Sequence, residues 1–167
     1  MKRMFSGVLA LVLALGAPAG ALAQGTSFAL GSARHDASAP VEVTADRLSV
    51  DQASGATLFE GNAVIGQGGL RLSAPSIRVV FAEADAGGAR QIERLSASGG
   101  VTLVTDDEAA EAQEAEYLVP QGRIEMRGDV LLTQGDNILS GDRLEVNLTT
   151  GEGSMEGRVR TIIQPGR

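Results

Sequence analysis

The stretch MRGDVLLTQGDNILSGDRLEV, Met126 to Val146, decides the fold of this 167-residue chain. Gly128 opens a short apolar run, Val130 to Leu132. Gln134-Gly135-Asp136-Asn137 then supplies turn chemistry, and Leu144 and Val146 alternate with Arg143, Glu145 and Asn147. Alternation of period two marks a strand with one buried and one wet face. Two such runs joined by a glycine-containing turn read as a hairpin.

The pattern continues on both sides. Leu48 and Val50 alternate with Arg47, Ser49 and Asp51; Leu70, Leu72 and Ala74 with Arg71 and Ser73; Ile77, Val79 and Phe81 follow; Ile124 and Met126 alternate with Arg123, Glu125 and Arg127. Turn residues punctuate these runs at Ser54-Gly55, Gly66 to Gly69, Gly87-Gly88 and Thr150-Gly151. Only Asp107 to Glu116 has helical spacing. Many short strands and almost no helix predict an all-β sandwich, roll or barrel.

The hairpin also repeats. An apolar residue, a polar one, then glycine and a β run recur at Phe59-Glu60-Gly61-Asn62, Met126-Arg127-Gly128-Asp129 and Met155-Glu156-Gly157-Arg158, and more loosely at Ala97-Ser98-Gly99-Gly100. Between them a small residue, a turn former, any residue and an aliphatic recur at Ala45-Asp46-Arg47-Leu48, Ala74-Pro75-Ser76-Ile77, Ala115-Glu116-Tyr117-Leu118 and Gly141-Asp142-Arg143-Leu144. Units of this kind cannot bury their own apolar faces and must lean on neighbours.

Composition bounds the function. Lys2 and Arg3 precede an uncharged run from Met4 to Leu15, and Ala21-Leu22-Ala23 has the small-x-small form that signal peptidase reads. The run is shorter than the ~20 residues that cross a bilayer as a helix. Residues 1–23 are therefore expected to be a cleaved secretory signal, residues 24–40 a flexible leader with a short strand near Phe28 and Leu30, residues 41–163 the folded domain and residues 164–167 a tail. Removing residues 1–23 leaves 144 residues in which twelve arginines face 21 acidic groups, a net charge of −9. That balance opposes nucleic-acid binding and a polybasic membrane tether. The absence of cysteine removes disulfides, thiolate metal sites and cysteine nucleophiles together.

No residue set reads as catalytic or metal-binding. His35 stands alone in the leader. The acids from Asp106 to Glu116 lack the glycine turn of a calcium loop and read as a solvated acidic loop or helical turn. Gly66 to Gly69 is followed by neither a helix start nor a lysine, so it is no phosphate cradle. Asp46 and Asp142 are the repeat-placed acids, and turn roles account for them. No enzymatic activity and no cofactor are expected.

The units Phe59 to Val79 and Met126 to Val146 resemble the OstA-like repeat of periplasmic lipopolysaccharide-transport proteins. With an expected signal and a single domain, the chain is most similar to the soluble bridge component of that system; a membrane-associated subunit of it is the neighbouring reading. Pro75 stands where the family usually has an acid. The resemblance implies an antiparallel β-jellyroll opened like a flattened V, with an apolar interior for lipid A acyl chains. It also implies head-to-tail association with copies of itself. The same pairing is implied with the periplasmic domain of an inner-membrane transport subunit and with the N-terminal domain of the outer-membrane translocon.

Positions matching the inward repeats are the candidate groove lining: Leu48, Val50, Phe59, Leu72, Ile77, Val79, Leu103, Tyr117, Val119, Ile124, Met126, Leu144 and Val146. Slim aliphatics are expected to leave the roll partly hollow. An acyl chain in water is penalised by ~0.8 kcal/mol per methylene, so about twelve carbons need roughly 9 kcal/mol of shelter. Arg47, Arg71, Arg78 and Arg143 lie on the opposite face, where they serve solubility or meet lipid phosphates at the rim. The first and last strands, with Val41 and Val43 at one end and Val159, Thr161 and Ile163 at the other, are candidate pairing edges, since unpaired N–H and C=O groups invite strand addition. Because the two edges differ, such pairing runs head-to-tail. The competing readings are a scaffolding β domain that pairs through its edges without lipid, and a carbohydrate-active β-roll, which needs paired carboxylates in a cleft.

Overall fold

A computed structural model describes residues 26–29, 39–84, 88 and 90–164. The leading strand β1 is Thr26–Ala29. Short strands β2 (Glu42–Thr44) and β3 (Arg47–Val50) precede six long ones: β4 (Thr57–Gln67), β5 (Leu70–Phe81), β6 (Ile92–Val104), β7 (Glu108–Leu118), β8 (Arg123–Gln134) and β9 (Asn137–Asn147). Two further short strands, β10 (Glu152–Glu156) and β11 (Arg160–Ile162), follow. A 3-10 turn, Val119–Gln121, links β7 to β8 and ends on Gly122 at φ 59°.

All pairings are antiparallel, in one sheet of order β1-β10-β9-β8-β7-β6-β5-β4-β2, with β3 also on β4 and β11 also on β9. Apart from the leading strand, then, the chain meanders: two short strands share one end of the sheet and two share the other.

Each long strand bends at its middle. The register shifts between Glu60 and Ala63, Ser73 and Ser76, Ser98 and Val101, Glu111 and Glu114, and Arg127 and Val130. These bulges form a line across the sheet. An extra residue in one strand of a pair bends it and increases its twist, and the repeated glycines supply that residue. Gly61, Gly99, Gly128 and Gly157 all have positive φ, and the residues after them (Asn62 at 48°, Gly100 at 97°, Asp129 at 49°, Arg158 at 42°) share it. A side chain is also excluded there by close approach. A Cβ on Gly61 would lie 2.6 Å from Asp46 Oδ2, one on Gly99 3.2 Å from Pro75 Cγ, and one on Gly128 2.9 Å from Gln113 Cβ; one on Gly157 would collide with Asp142 Oδ2. Pro75 in place of an acid is thus accommodated, because its ring only has to cover a glycine.

Two readings of the sequence are corrected here. Glu108 to Leu118 is strand, not loop or helix. Ala110, Ala112, Ala115 and Tyr117 point inward and Glu111, Glu114 and Glu116 outward. The alanines and glutamates favour helix intrinsically, but ladders to β6 and β8 on both sides override a weak propensity. The third copy of the small-residue element is Ala112-Gln113, three positions before Ala115-Glu116, since Gln113 is the residue that covers its glycine.

The crease folds the sheet's inner face onto itself. Three rows of paired residues cross that face. One runs Leu48, Phe59, Ile77, Ala97, Ala115, Met126, Leu144, Met155; the next Val50, Thr57, Val79, Leu95, Tyr117, Ile124, Val146, Gly153. Beyond the crease the third runs Val43, Ile65, Leu72, Leu103, Ala110, Leu132, Leu139, Thr161. Residues of both arms join one core cluster.

Candidate functional site

The site is the space between the two arms and the strand edges at its ends. Among the candidate lining residues, Leu72, Ile77, Val79, Leu103, Tyr117, Ile124, Met126, Leu144 and Val146 are buried in the core, with Phe59 and Val119 half-buried against it. Leu48 and Val50 differ. They lie in the inner rows by register, yet are 57% and 58% exposed. They sit where the rows run out at the β3 edge, with no further strand among the described residues to cover them. The inner apolar surface therefore reaches the end of the sheet and meets solvent there.

The expected hollow is mostly filled. The arms close on each other, leaving a cavity of about 30 Å³ lined by Leu103, Ala110, Leu132, Leu144, Val146 and Leu148, with Thr105 and Glu108 at its polar side. That is room for a few water molecules and not for an acyl chain. Thin walls do not hold a trough open on their own, because dispersion and burial draw them together.

A polar contact joins the closed arms, and alternation does not mark the buried polar groups. Gln67, at the end of β4, is buried; its Oε1 accepts a 2.9 Å hydrogen bond from Tyr117 Oη on the other arm, and its Nε2 donates to the Ala39 carbonyl at 3.1 Å. Burial pushes the Tyr117 phenol up to about 12. Glu108 is buried and accepts from Gln134 Nε2 at 2.6 Å. Nothing in the residue pattern sets Gln67 or Glu108 apart from outward polar neighbours, except that they fall on inner-face positions at strand ends.

Asp46 and Asp142 hold the crease. Asp46 N donates to Gly61 O at 2.9 Å and Asp142 N to Gly157 O at 3.0 Å. Asn62 Nδ2 donates to Asp46 Oδ2 at 2.9 Å, and Arg158 Nε donates to Asp142 Oδ2 at 3.2 Å. The Arg158 hydrogen bonds hold the Asp142 carboxyl below its ordinary value. On the outer face Arg143 meets Glu125 at 2.6 Å, Glu145 at 3.4 Å and Glu156 at 3.6 Å, so this arginine is already occupied. Arg47, Arg71 and Arg78 are exposed.

Of the edge residues, Val41, Val43 and Val159 are half-buried against the core, while Ile163 is 72% exposed. Thr161 pairs with Leu139 in the third inner row. Among the described residues no group of three His, Cys, Asp or Glu could hold a metal ion, and no helix is long and apolar enough to cross a membrane. His35 and the expected cleavage site lie outside the described residues.

Fold and site together define a creased antiparallel roll of stacked hairpins with an apolar interior reaching its edge. Residues 42–152 match the family described as LptA/(LptD N-terminal domain) LPS transport protein. The chain belongs to that family, which is one of transport proteins, and it is an OstA-like protein resembling LptA. It is 28% identical over 153 residues to an uncharacterized protein of Rhizobium meliloti strain 1021, covering 87% of this chain and 82% of that one. The fold is similar to that of LptH from Pseudomonas aeruginosa, described as the LptA homologous periplasmic component of the lipopolysaccharide transport device. The TM-score is 0.67 at 19% identity, over 78% of this chain and 99% of LptH.

Proposed function

We propose that the protein is a non-enzymatic periplasmic lipid carrier. It binds lipopolysaccharide by its lipid A acyl chains between the arms and assembles head-to-tail into a bridge from inner to outer membrane. The periplasmic domain of an inner-membrane transport subunit pairs at one end of the bridge. The N-terminal domain of the outer-membrane translocon pairs at the other.

The observation that carries this reading is the exposure of Leu48 and Val50 on the inner rows. A copy docked edge to edge covers them and extends the apolar rows from one chain into the next. Acyl chains do not fit a cavity of about 30 Å³, so loading requires the arms to part, and the line of glycine bulges is where they bend. Shelter of roughly 9 kcal/mol per twelve-carbon chain offsets the apolar packing that opening breaks.

The closed interior favours a second reading, a scaffolding domain that pairs through its edges and holds no lipid. Mass spectrometry of the protein purified from its own periplasm separates the two. The carrier shows a mass increment of one glycolipid that disappears on delipidation; the scaffold shows the bare chain throughout.

A further inference from the structure

One strand lies on the wrong edge for its place in the sequence. Thr26–Ala29 belongs to the N-terminal leader but pairs with β10 near the C-terminus, Thr26 opposite Met155 and Ala29 opposite Glu152. By Ala39 the chain is back beside β4, where Gln67 holds the Ala39 carbonyl. Ten residue steps reach at most ~33–36 Å, so Ala29 on the β10 edge and Ala39 beside β4 stand no farther apart than that.

We propose that Thr26–Ala29 is an exchangeable clamp. It covers the C-terminal edge of the isolated chain, and the N-terminal edge of a second copy takes its place on assembly. The occupancy is uneven: β1 covers β10, whereas β11 pairs with β9 and has no strand beyond it among the described residues. An incoming strand meets β11 first and then competes with four residues of leader. So short a strand is held by few ladder bonds and by the high effective concentration of a tethered segment, which is of millimolar order. A clamp that leaves the edge open about 10% of the time weakens apparent association roughly tenfold. Premature stacking of free copies is restrained, while a partner offering a longer edge displaces the leader.

The identity of the displacing strand rests on the head-to-tail reading above; the clamp itself does not. Two variants of the full exported chain test both. In S27P/F28P, whichever of the two adjacent N–H groups faces β10 is lost. Hydrogen exchange at Glu152–Glu156 is expected to speed up and self-association by sedimentation to tighten about tenfold. Unchanged protection overturns the clamp, and unchanged or weaker association overturns exchange. The second variant, S27C/S154C, places two cysteines opposite each other in a chain that has none. Its oxidised monomer is expected to associate at least about tenfold more weakly than the same protein after reduction, and equal association in both states overturns the proposal. If S27P/F28P exposes β10 yet stays monomeric at all concentrations, the head-to-tail reading fails, and the exchange fails with it.

Discussion

Gln113 lies over Gly128 so closely that a Cβ on the glycine would stand 2.9 Å from the Gln113 Cβ. The same relationship joins Asp46 to Gly61, Pro75 to Gly99 and Asp142 to Gly157. Four contacts on one line turn a flat meander into a roll with an inside.

Substituting Gly128 by alanine is expected to cost about 1–3 kcal/mol, from positive φ and from the clash together. Gly66 is the control: nothing stands within 4 Å of its missing Cβ and its φ is not positive. Urea denaturation should show a lower midpoint for Gly128→Ala and an unchanged or slightly raised one for Gly66→Ala.

Asp142 gives the crease a pH dependence. Its carboxyl sits below the ordinary value of 3.8 because Arg158 donates to it. A depressed folded value means stability that is fully present above 3.8 and is lost as pH falls through the folded value. The stability difference between the wild type and Asp142→Asn should therefore be constant near neutrality and vanish in strong acid. Salt should shrink it, since the pair is exposed.

Tyr117 acts at the other extreme. It is the sole tyrosine of the chain, and its phenol is pushed from 10 up to about 12 by burial. The folded state keeps the proton that the unfolded state loses, so stability should fall as pH rises from 10 to 12. Absorbance titration should follow this one group, ionising near 10 in urea and near 12 when folded. Tyr117→Phe should remove the alkaline slope, and should lower stability by about 1–3 kcal/mol because Gln67 Oε1 loses a donor inside the core.

Leu48 and Ile77 share a row but not a fate. Ile77 is fully buried, so Ile77→Ala should cost about 2–5 kcal/mol. Leu48 is exposed, so Leu48→Asp should change stability by less than about 0.5 kcal/mol. The carrier account expects the latter variant to fold normally and to lose self-association in sedimentation.

These contrasts mark what residues reveal locally and what they do not. Alternation around Leu72, Ile77 and Leu144 announces strands because each carries its own inward face, and the repeated glycines announce a shared bend. β7 is hidden because alanine and glutamate have no strand preference until β6 and β8 flank them. The exposure of Leu48 is equally invisible, since it depends on the sheet ending there. So is the burial of Gln67, which depends on Tyr117 arriving from the far arm. Closure of the interior is a property of two arms meeting, and no single strand encodes it.

The central claim is that acyl chains enter between the arms. Photo-crosslinking side chains placed at Val79 and Tyr117, on the inner rows, and at Arg127, on the outer face, test it in cells making lipopolysaccharide. The carrier account predicts lipopolysaccharide adducts from Val79 and Tyr117 and none from Arg127. Adducts from Arg127 alone, or from no position, would contradict it.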